Sequence, residues 1–153
     1  MRLIPFFFAC LILCLAADED DARRLPDGPG KDVVVKVCLD CHDSGRMRAR
    51  RIGHDEWDDK VADMVDRGAK GTDAEIKAVV DYLTKNFGPD SKMQVNTAPM
   101  VELKAVFEVS AKQAEAIVAY RDANGAFKEW QDLTKVPGID AAKIEAKKEL
   151  LAF

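Results

Sequence analysis

The sequence is poor in histidine, in glycine-rich loops and in long apolar runs. It contains two histidines, His42 and His54, and it shows neither a glycine-rich nucleotide-binding loop nor a nucleophile paired with a base. Acid–base and nucleophilic catalysis have few residues to draw on, so we do not expect an enzyme. The 23 basic residues are outnumbered by 27 acidic ones, for a net charge of -4. This balance argues against a chain that binds polyanions over its whole surface.

Cysteine is scarce as well, with four in the chain. Cys10 and Cys14 fall in the apolar N-terminal stretch, which leaves Cys38 and Cys41 for the rest of the protein. A structural zinc site normally takes four protein ligands, and no second cysteine pair is present to complete one. A redox-active C-x-x-C disulfide remains open from these residues alone.

The longest apolar run, Leu3–Leu15, is short for a helix that spans a membrane. It follows the positively charged start Met1-Arg2 and precedes the small residues Ala16-Ala17. This layout is typical of a secretory signal peptide. We therefore expect a signal peptide over residues 1–17 that is cleaved after Ala17.

An acidic linker follows the predicted signal peptide over residues 18–28. Export would place the mature protein in the periplasm or outside the cell, which is an oxidising compartment. The sequence offers one route to membrane attachment, which is a signal peptide that stays uncleaved. A lipid anchor at Cys14 is disfavoured because the bulky Leu13 precedes it.

The pentad Cys38-Leu39-Asp40-Cys41-His42 reads C-x-x-C-H, which is the attachment signal of a c-type haem. In such a site, Cys38 and Cys41 form thioethers with the porphyrin vinyl groups, and His42 is the proximal iron ligand. Attachment of this group follows export, which agrees with the signal peptide. The sequence therefore predicts one covalent haem c, which would use both thiols of the mature chain.

Helical periodicity surrounds the pentad over residues 29–90. The patterns predict a helix over Lys31–Cys41, a second that Asp55 caps, and a third that Thr72 opens with a capping box and that stops at Gly88. A module of this size buries little core by itself, and a haem would supply the missing apolar mass. The second helix carries an apolar stripe, made of Trp57, Val61, Met64 and Val65.

This region resembles the small cytochromes c over roughly residues 30–90. The resemblance rests on the pentad, on the segment Trp57…Met64…Gly68, and on a last helix with Tyr82-Leu83. It is most similar to haem domains found beside periplasmic dehydrogenases, including the haem-binding part of quinohaemoprotein amine dehydrogenases. The resemblance implies a small all-α haem domain whose sixth iron ligand is usually a methionine between the pentad and the last helix. Met64 occupies that place and is the expected distal ligand.

Other residues near the pentad leave alternatives open. Met47 is a second candidate for the distal position, His54 is more simply a surface residue at a helix entry, and a vacant sixth site is a further alternative. The stretch from residue 46 to residue 51 also holds four arginines. We expect most of them to lie in a solvated loop and one or two to reach haem propionates, and the four are Arg46, Arg48, Arg50 and Arg51.

A second module is predicted over residues 95–153, after the polar joint at residues 89–92. Its patterns predict a series of helices at about Val101–Phe107, Ala111–Asn124, Trp130–Leu133 and Ala141–Leu150. Residues 96–153 carry eight Lys and Arg against nine Asp and Glu. A phosphate-binding surface normally has the opposite balance, so we expect DNA binding to be weak or absent.

This second module is similar to the double helix-hairpin-helix domain of competence-type DNA receptors. The resemblance rests mainly on Asn96-Thr97-Ala98, Ala119-Tyr120-Arg121 and Val136-Pro137-Gly138-Ile139. It implies a compact fold in which hairpin backbone N–H groups approach a phosphate. Both hairpins depart from the family pattern: the first has no glycine and carries an added acid, Glu108, and the second has Asp140 where the family commonly has its second glycine.

These patterns together predict an all-α chain in which a small cytochrome c-like haem domain precedes a compact helix-hairpin-helix domain. The favoured function is an exported electron carrier with one haem, acting on a periplasmic redox protein or dehydrogenase and docking through the second module. Two alternatives remain: a periplasmic DNA-binding protein with an accessory haem domain, and a haem subunit held permanently on a larger dehydrogenase.

Overall fold

The computed structural model describes residues 21–153. The predicted signal peptide, including Cys10 and Cys14, lies outside them. The described chain is mainly helical, as expected. Its helices and strands, in chain order, are α1 (Lys31–Cys38), α2 (Gly45–Arg48), α3 (His54–Asp66), α4 (Asp73–Phe87), β1 (Met93–Gln94), α5 (Met100–Phe107), α6 (Ala111–Asn124), α7 (Trp130–Leu133), α8 (Ala141–Ala146), a 3-10 helix (Lys148–Leu150) and β2 (Leu151–Ala152).

Helix α1 ends at Cys38, three residues before the predicted end, so the remainder of the pentad forms a turn. The carboxylate of Asp43 then accepts a hydrogen bond from Gly45 N at 2.8 Å. A short acidic side chain that bonds the backbone two residues ahead competes with helix continuation. The chain turns there and enters α2, a short helix that the sequence patterns did not predict.

Helix α4 begins at a capping box, and α3 begins at one half of such a box, because Gly53 has no side chain. Gly53, not Asp55, precedes α3, and its N–H donates to the Glu56 carboxylate at 3.1 Å. At α4 the predicted box is confirmed, since Thr72 Oγ1 accepts from Glu75 N at 3.3 Å and the Glu75 carboxylate accepts from Thr72 N at 2.8 Å. These hydrogen bonds satisfy backbone donors that a helix start would otherwise leave unpaired.

The N-terminal module, residues 29–90, packs α1, α3 and α4 around one apolar cluster. The indole N–H of Trp57 donates to Phe87 O at 3.2 Å, which ties α3 to the end of α4. Gly30 adopts a positive φ of 91° at the start of α1, where an added Cβ would lie 2.9 Å from Ala78 O. This close approach of α1 to α4 requires a glycine.

The C-terminal module, residues 95–153, follows the predicted helices closely. Helices α6 and α7 have the predicted bounds, and α5 begins one residue early. The predicted helix Ala141–Leu150 instead splits into α8 and the 3-10 helix. The chain then forms β2, which pairs in parallel with β1 through Met93 with Leu151 and Gln94 with Ala152. This two-residue pairing was not predicted, and it joins the two ends of the module.

Side-chain clamps fix the start of the C-terminal module. Asn96 donates to Phe127 O at 2.9 Å and accepts from Phe127 N at 2.8 Å. Arg121 donates to Val95 O at 2.8 Å and to Ala98 O at 2.9 Å. Two of the positions that carry the family resemblance therefore hold the fold together.

A buried ion pair joins the two modules across the predicted polar joint. Arg48 Nε donates to one Glu102 carboxylate oxygen at 2.8 Å, and Arg51 donates to the other at 2.8 Å. The side chains of Arg48 and Glu102 are only 4% and 2% exposed. The prediction of a solvated loop is therefore wrong for Arg48 and Arg51. A buried carboxylate on α5 needs cationic partners, and these two arginines are the cations that pair with it.

Within residues 21–153, none of the helices combines the length and the apolar character that crossing a bilayer requires.

Candidate functional site

The N-terminal module contains a pocket of about 330 Å³ between α1, α3 and α4. This volume falls in the range of small-molecule binding pockets in proteins. Most of its lining is apolar, although Met64 is only half-buried and Val65 is 39% exposed. The apolar lining residues are Val37, Met47, Trp57, Val61, Met64, Val65, Ala69, Ile76 and Leu83.

The pocket also brings together the three chemically reactive residues of the pentad. Cys38, Cys41 and His42 all line it, because the turn after α1 folds them back toward α3. Both cysteines are free thiols. Burial, with a smaller contribution from Cys41, raises the pKa of the Cys38 thiol to about 11. Redox-active C-x-x-C motifs have lowered thiol pKa values, so the redox-disulfide alternative is disfavoured.

The ring of His42 is oriented through one of its nitrogens. Its Nδ1 lies 3.0 Å from the backbone carbonyl oxygen of Asp43. A carbonyl can only accept, so in the neutral ring Nδ1 carries the proton and donates, and Nε2 presents a lone pair. Histidines that ligate metals commonly use this arrangement, in which the second nitrogen bonds to a carbonyl or carboxylate.

The candidates for the distal position differ in their placement. Met64 lines the pocket from α3 and is half-buried, whereas Met47 lines it from α2 and is only 5% exposed, as part of the core. His54 does not line the pocket; it is the first residue of α3, is exposed, and lies 3.4 Å from Asp55. The pocket therefore brings Met64 and Met47 together with His42 and leaves His54 outside.

A cationic rim completes the lining. Of the four arginines singled out in the sequence, Arg46 and Arg50 line the pocket, while the other two are used in the joint between the modules. Lys60 and Arg67 also line it, and sequence reasoning missed both. Lys60 is on α3 and Arg67 directly follows its end; their spacing of seven residues, about two helical turns, was the signal that places them on one side of the pocket.

The residues present fit a c-type haem. A flat, largely apolar macrocycle with anionic propionates requires an apolar cavity, two thiols, an imidazole nitrogen and cations at the rim, and this pocket has each of them. The haem brings four nitrogen ligands of its own, so the protein needs to supply only axial ligands.

The C-terminal module brings two helical hairpins side by side. The first connects α5 to α6 through Glu108, Val109 and Ser110, and the second connects α7 to α8 around Gly138, whose φ is 80°. Gln113 Nε2, in the first turn of α6, donates to Gly138 O of the second hairpin at 2.9 Å. The two hairpins therefore form one continuous surface.

Several backbone donors at these hairpins are already bonded to side chains. Ser110 N donates to Gln113 Oε1 at 2.9 Å, and Gln113 N donates to Ser110 Oγ at 3.3 Å. Ala142 N donates to Asp140 Oδ1 at 3.0 Å. An anion at this surface would consequently meet exposed lysine side chains more readily than these N–H groups.

Comparison with known proteins identifies the C-terminal module. Residues 89–152 match the family of the helix-hairpin-helix motif. The chain is 41% identical over 58 residues to the ComE operon protein 1 of Bacillus subtilis strain 168, which is 38% of this chain and 28% of that protein. It is 38% identical over 63 residues to an uncharacterized protein of Haemophilus influenzae, which is 40% of this chain and 56% of that protein. No solved structure gives a significant match.

A further relative shows how local these matches are. The chain is 42% identical over 57 residues to the endonuclease/exonuclease/phosphatase family domain-containing protein 1 of Danio rerio, which is 37% of this chain and 10% of that protein. The matched region spans less than two thirds of each of these relatives. Residues 89–152 therefore form a helix-hairpin-helix domain, as the resemblance implied for this part of the chain.

These findings correct the classification of the chain as a cytochrome whose functions are electron transfer and metal binding. The family match is to a helix-hairpin-helix motif and does not extend to the N-terminal module. In residues 21–153, moreover, no group of three or more His, Cys, Asp and Glu side chains is arranged to hold a metal ion. The comparisons favour the alternative, a DNA-binding protein, over the electron carrier.

Proposed function

We propose that the chain is an exported protein that binds DNA through its C-terminal module. The observation that carries this proposal is the match of residues 89–152 to the helix-hairpin-helix motif, together with the two hairpins that form one surface. The similarity to the ComE operon protein 1 supports the same reading. The predicted signal peptide is what supports export.

Binding of this kind would be independent of base sequence. The hairpin surface presents lysine side chains in the first turns of the helices that follow the hairpins, including Lys112 on α6 and Lys143 on α8, both exposed. Such groups contact phosphates, which position a protein on DNA without reading its bases. We expect a dissociation constant in the micromolar range or weaker at physiological salt, and affinity that falls steeply as salt rises.

The test is fluorescence anisotropy of the full chain with a labelled duplex and a labelled single strand, at low and at moderate salt. A variant with Lys112→Ala and Lys143→Ala should bind several-fold more weakly and show a shallower salt dependence. Lys77→Ala is the matched control, because Lys77 is exposed on α4 of the other module, where it pairs with Asp81. No binding by the unaltered protein at low salt, or equal losses in both variants, would contradict the proposal.

We also propose that the pocket of the N-terminal module holds one haem c as an accessory group. Cys38 and Cys41 would attach it and His42 would be the proximal ligand, supported by their common place in the pocket. A haem supplies redox and gas-binding chemistry. The surrounding residues would bind it and exclude water from its apolar face. The intact mass of the exported protein should exceed that of the polypeptide by one haem.

We propose Met64 as the distal ligand. Its half-buried side chain lines the pocket from α3 and can move more easily than the tightly packed Met47. Thioether ligation raises the reduction potential relative to two histidines. Met64→Ala should therefore lower the potential and remove the weak near-infrared band of methionine-ligated ferric haem, whereas His54→Ala should change neither. An unchanged band in Met64→Ala would transfer the assignment to Met47.

A further inference from the structure

The first hairpin contains a residue in an unusual conformation. Glu108 has a φ of 54°, and it is the one non-glycine residue with a positive φ in residues 21–153. L-residues adopt this left-handed conformation at a cost that glycine avoids. A glutamate at such a position therefore needs contacts that offset the cost of its backbone conformation.

Two lysines from the other hairpin converge on Glu108. Lys143 Nζ donates to its backbone carbonyl oxygen at 2.7 Å, and Lys147 Nζ donates to its carboxylate at 2.8 Å. The first lysine is on α8 and the second follows directly after it. The acidic tip of the first hairpin therefore engages cations that belong to the second.

The same two lysines carry positive charge where the two hairpins meet. Gln113 of the first hairpin bonds Gly138 of the second, and Lys143 and Lys147 bond Glu108 from the other side of this contact. Of the other lysines near the second hairpin, Lys135 pairs with Asp132 at 2.7 Å. A phosphate at this surface would compete with the Glu108 carboxylate for the ammonium group of Lys147.

We propose that Glu108 is an internal competitor for phosphate that limits the affinity of this surface for nucleic acid; this inference rests on the DNA binding proposed above. A single phosphate would have to displace the Glu108 carboxylate from Lys147 with little net gain. A polyanion presents many phosphates at once, so it displaces the carboxylate more readily. Glu108 thus favours DNA over small phosphorylated ligands and allows it to be released.

The experiment measures the affinity of the full chain for a labelled duplex at several salt concentrations, with Glu108→Gln as the test variant. This change removes the charge and keeps the length of the side chain. It should tighten binding up to about fivefold, the effect expected of one exposed charge pair that is released to a phosphate. The salt dependence should also steepen, because one more cation becomes available to the DNA.

The matched control is Asp59→Asn, which changes the net charge equally at an exposed position on α3. A second variant combines Glu108→Gln with Lys147→Gln. If the carboxylate acts by occupying Lys147, the gain from Glu108→Gln should largely vanish in that background. Equal affinity of Glu108→Gln and Asp59→Asn, or an undiminished gain in the double variant, overturns the inference while leaving DNA binding intact.

The remaining outcomes separate the two proposals. If the unaltered chain shows no binding and Glu108→Gln binds, the competitor role stands and DNA binding by the natural chain falls. If neither protein binds at low salt, both proposals fail. Inorganic phosphate at the same ionic strength is the second ligand, and it should compete with the duplex more effectively in Glu108→Gln than in the unaltered protein.

Discussion

The two modules have similar lengths but complete their cores in different ways. In the C-terminal module, side chains alone close the core, and Leu103, Phe107, Ile117, Leu133 and Ile144 are each 0% exposed. In the N-terminal module, the apolar cluster opens into a pocket of about 330 Å³. Two apolar residues of α3 that line it, Met64 and Val65, are half-buried and 39% exposed.

The difference shows what each module requires. Native protein interiors are close-packed, and the side chains that line a cavity lose van der Waals contacts on the side that faces it. The C-terminal module closes its apolar core with its own side chains and has no such cost. The N-terminal module leaves apolar side chains around an open space, and this favours a partner of apolar character that fills it. Two thiols and an imidazole at the edge of the same space make haem c the proposed group.

The largest effect is expected from substitutions that remove the proposed haem c. Cys38→Ala with Cys41→Ala should abolish covalent haem, because the two thiols are the proposed attachment points, and the N-terminal module should then unfold at lower denaturant than the C-terminal one. Mass spectrometry and absorption spectra of protein exported from a haem-maturing host make the measurement. Asp40→Ala, which lies between the two cysteines and is exposed, should retain the haem. A colourless unaltered protein from the same host would refute the attachment.

The next effect tests the connection between the modules. Glu102→Ala leaves Arg48 and Arg51 without the carboxylate that both contact at 2.8 Å. Removing one partner of a buried ion pair costs about 3–5 kcal/mol, because a buried charge is left uncompensated. Urea unfolding measures the loss of stability. If this ion pair couples the two modules, Glu102→Ala should split the single unfolding transition into two. Glu115→Ala, exposed on α6, should stay within about 0.5 kcal/mol of the unaltered protein. A similarly small loss for Glu102→Ala would show that the pair does not stabilise the joint.

Local signals predicted the helices and the C-terminal fold well. The predicted cap Thr72 accepts a hydrogen bond from the backbone N–H three residues ahead, and such short-range chemistry can be read directly from a sequence. We also predicted the bounds of α6 and α7 correctly from local sequence patterns. Spacing identified the pentad, and the resemblance to the small cytochromes c identified Met64. The reactive residues Cys38, Cys41 and His42 line one pocket together with Met64.

Long-range partners could not be predicted in the same way. Glu102 lies 54 residues from Arg48, and nothing in either local pattern marks them as a pair. The arginines therefore looked like a solvated loop. The same reason applies to Lys143 and Lys147, which contact Glu108 from 35 and 39 residues away. Charge counting treated these residues as a balanced surface, although their arrangement decides how the surface meets an anion.

A third prediction compares the two cores directly. Ile117→Ala in the closed C-terminal core should cost about 2–5 kcal/mol, since it removes buried methyl groups and leaves a cavity. Met64→Ala should cost less than about 1 kcal/mol in the protein without haem, because its side chain borders an existing cavity and is half-exposed. Urea unfolding of both variants provides the comparison. With haem attached, the cost of Met64→Ala should rise. Equal costs without haem would mean that the pocket is closed in solution.

The smallest expected effect distinguishes the modules by their response to acid. In the N-terminal module, the hydrogen bond from Lys36, with help from Thr72, lowers the pKa of Glu75 from 4.5 to about 2. In the C-terminal module, the hydrogen bond from Lys135, with backbone N–H groups, lowers the pKa of Asp132 from 3.8 to about 2. Both groups bind protons more weakly in the folded state. Their contributions are therefore complete above the unfolded pKa and are lost as the pH falls toward 2.

The two carboxylates begin to lose their stabilising contributions at different pH values. The contribution of Glu75, which links α1 to α4 through Lys36 at 2.6 Å, should start to decline near pH 4.5, and that of Asp132 only near pH 3.8. Glu75→Gln should flatten the pH dependence of stability between pH 4.5 and about 2, and Asp132→Asn between pH 3.8 and about 2. Thermal unfolding across this range measures both, with tryptophan fluorescence following Trp57 in one module and Trp130 in the other. Both side chains are partly exposed, Glu75 by 26% and Asp132 by 20%, so salt should reduce the effect. If Glu75→Gln leaves the pH dependence unchanged, the pair of Glu75 with Lys36 contributes nothing to holding α1 against α4. The N-terminal module would then depend on its apolar contacts and on the group that fills its pocket.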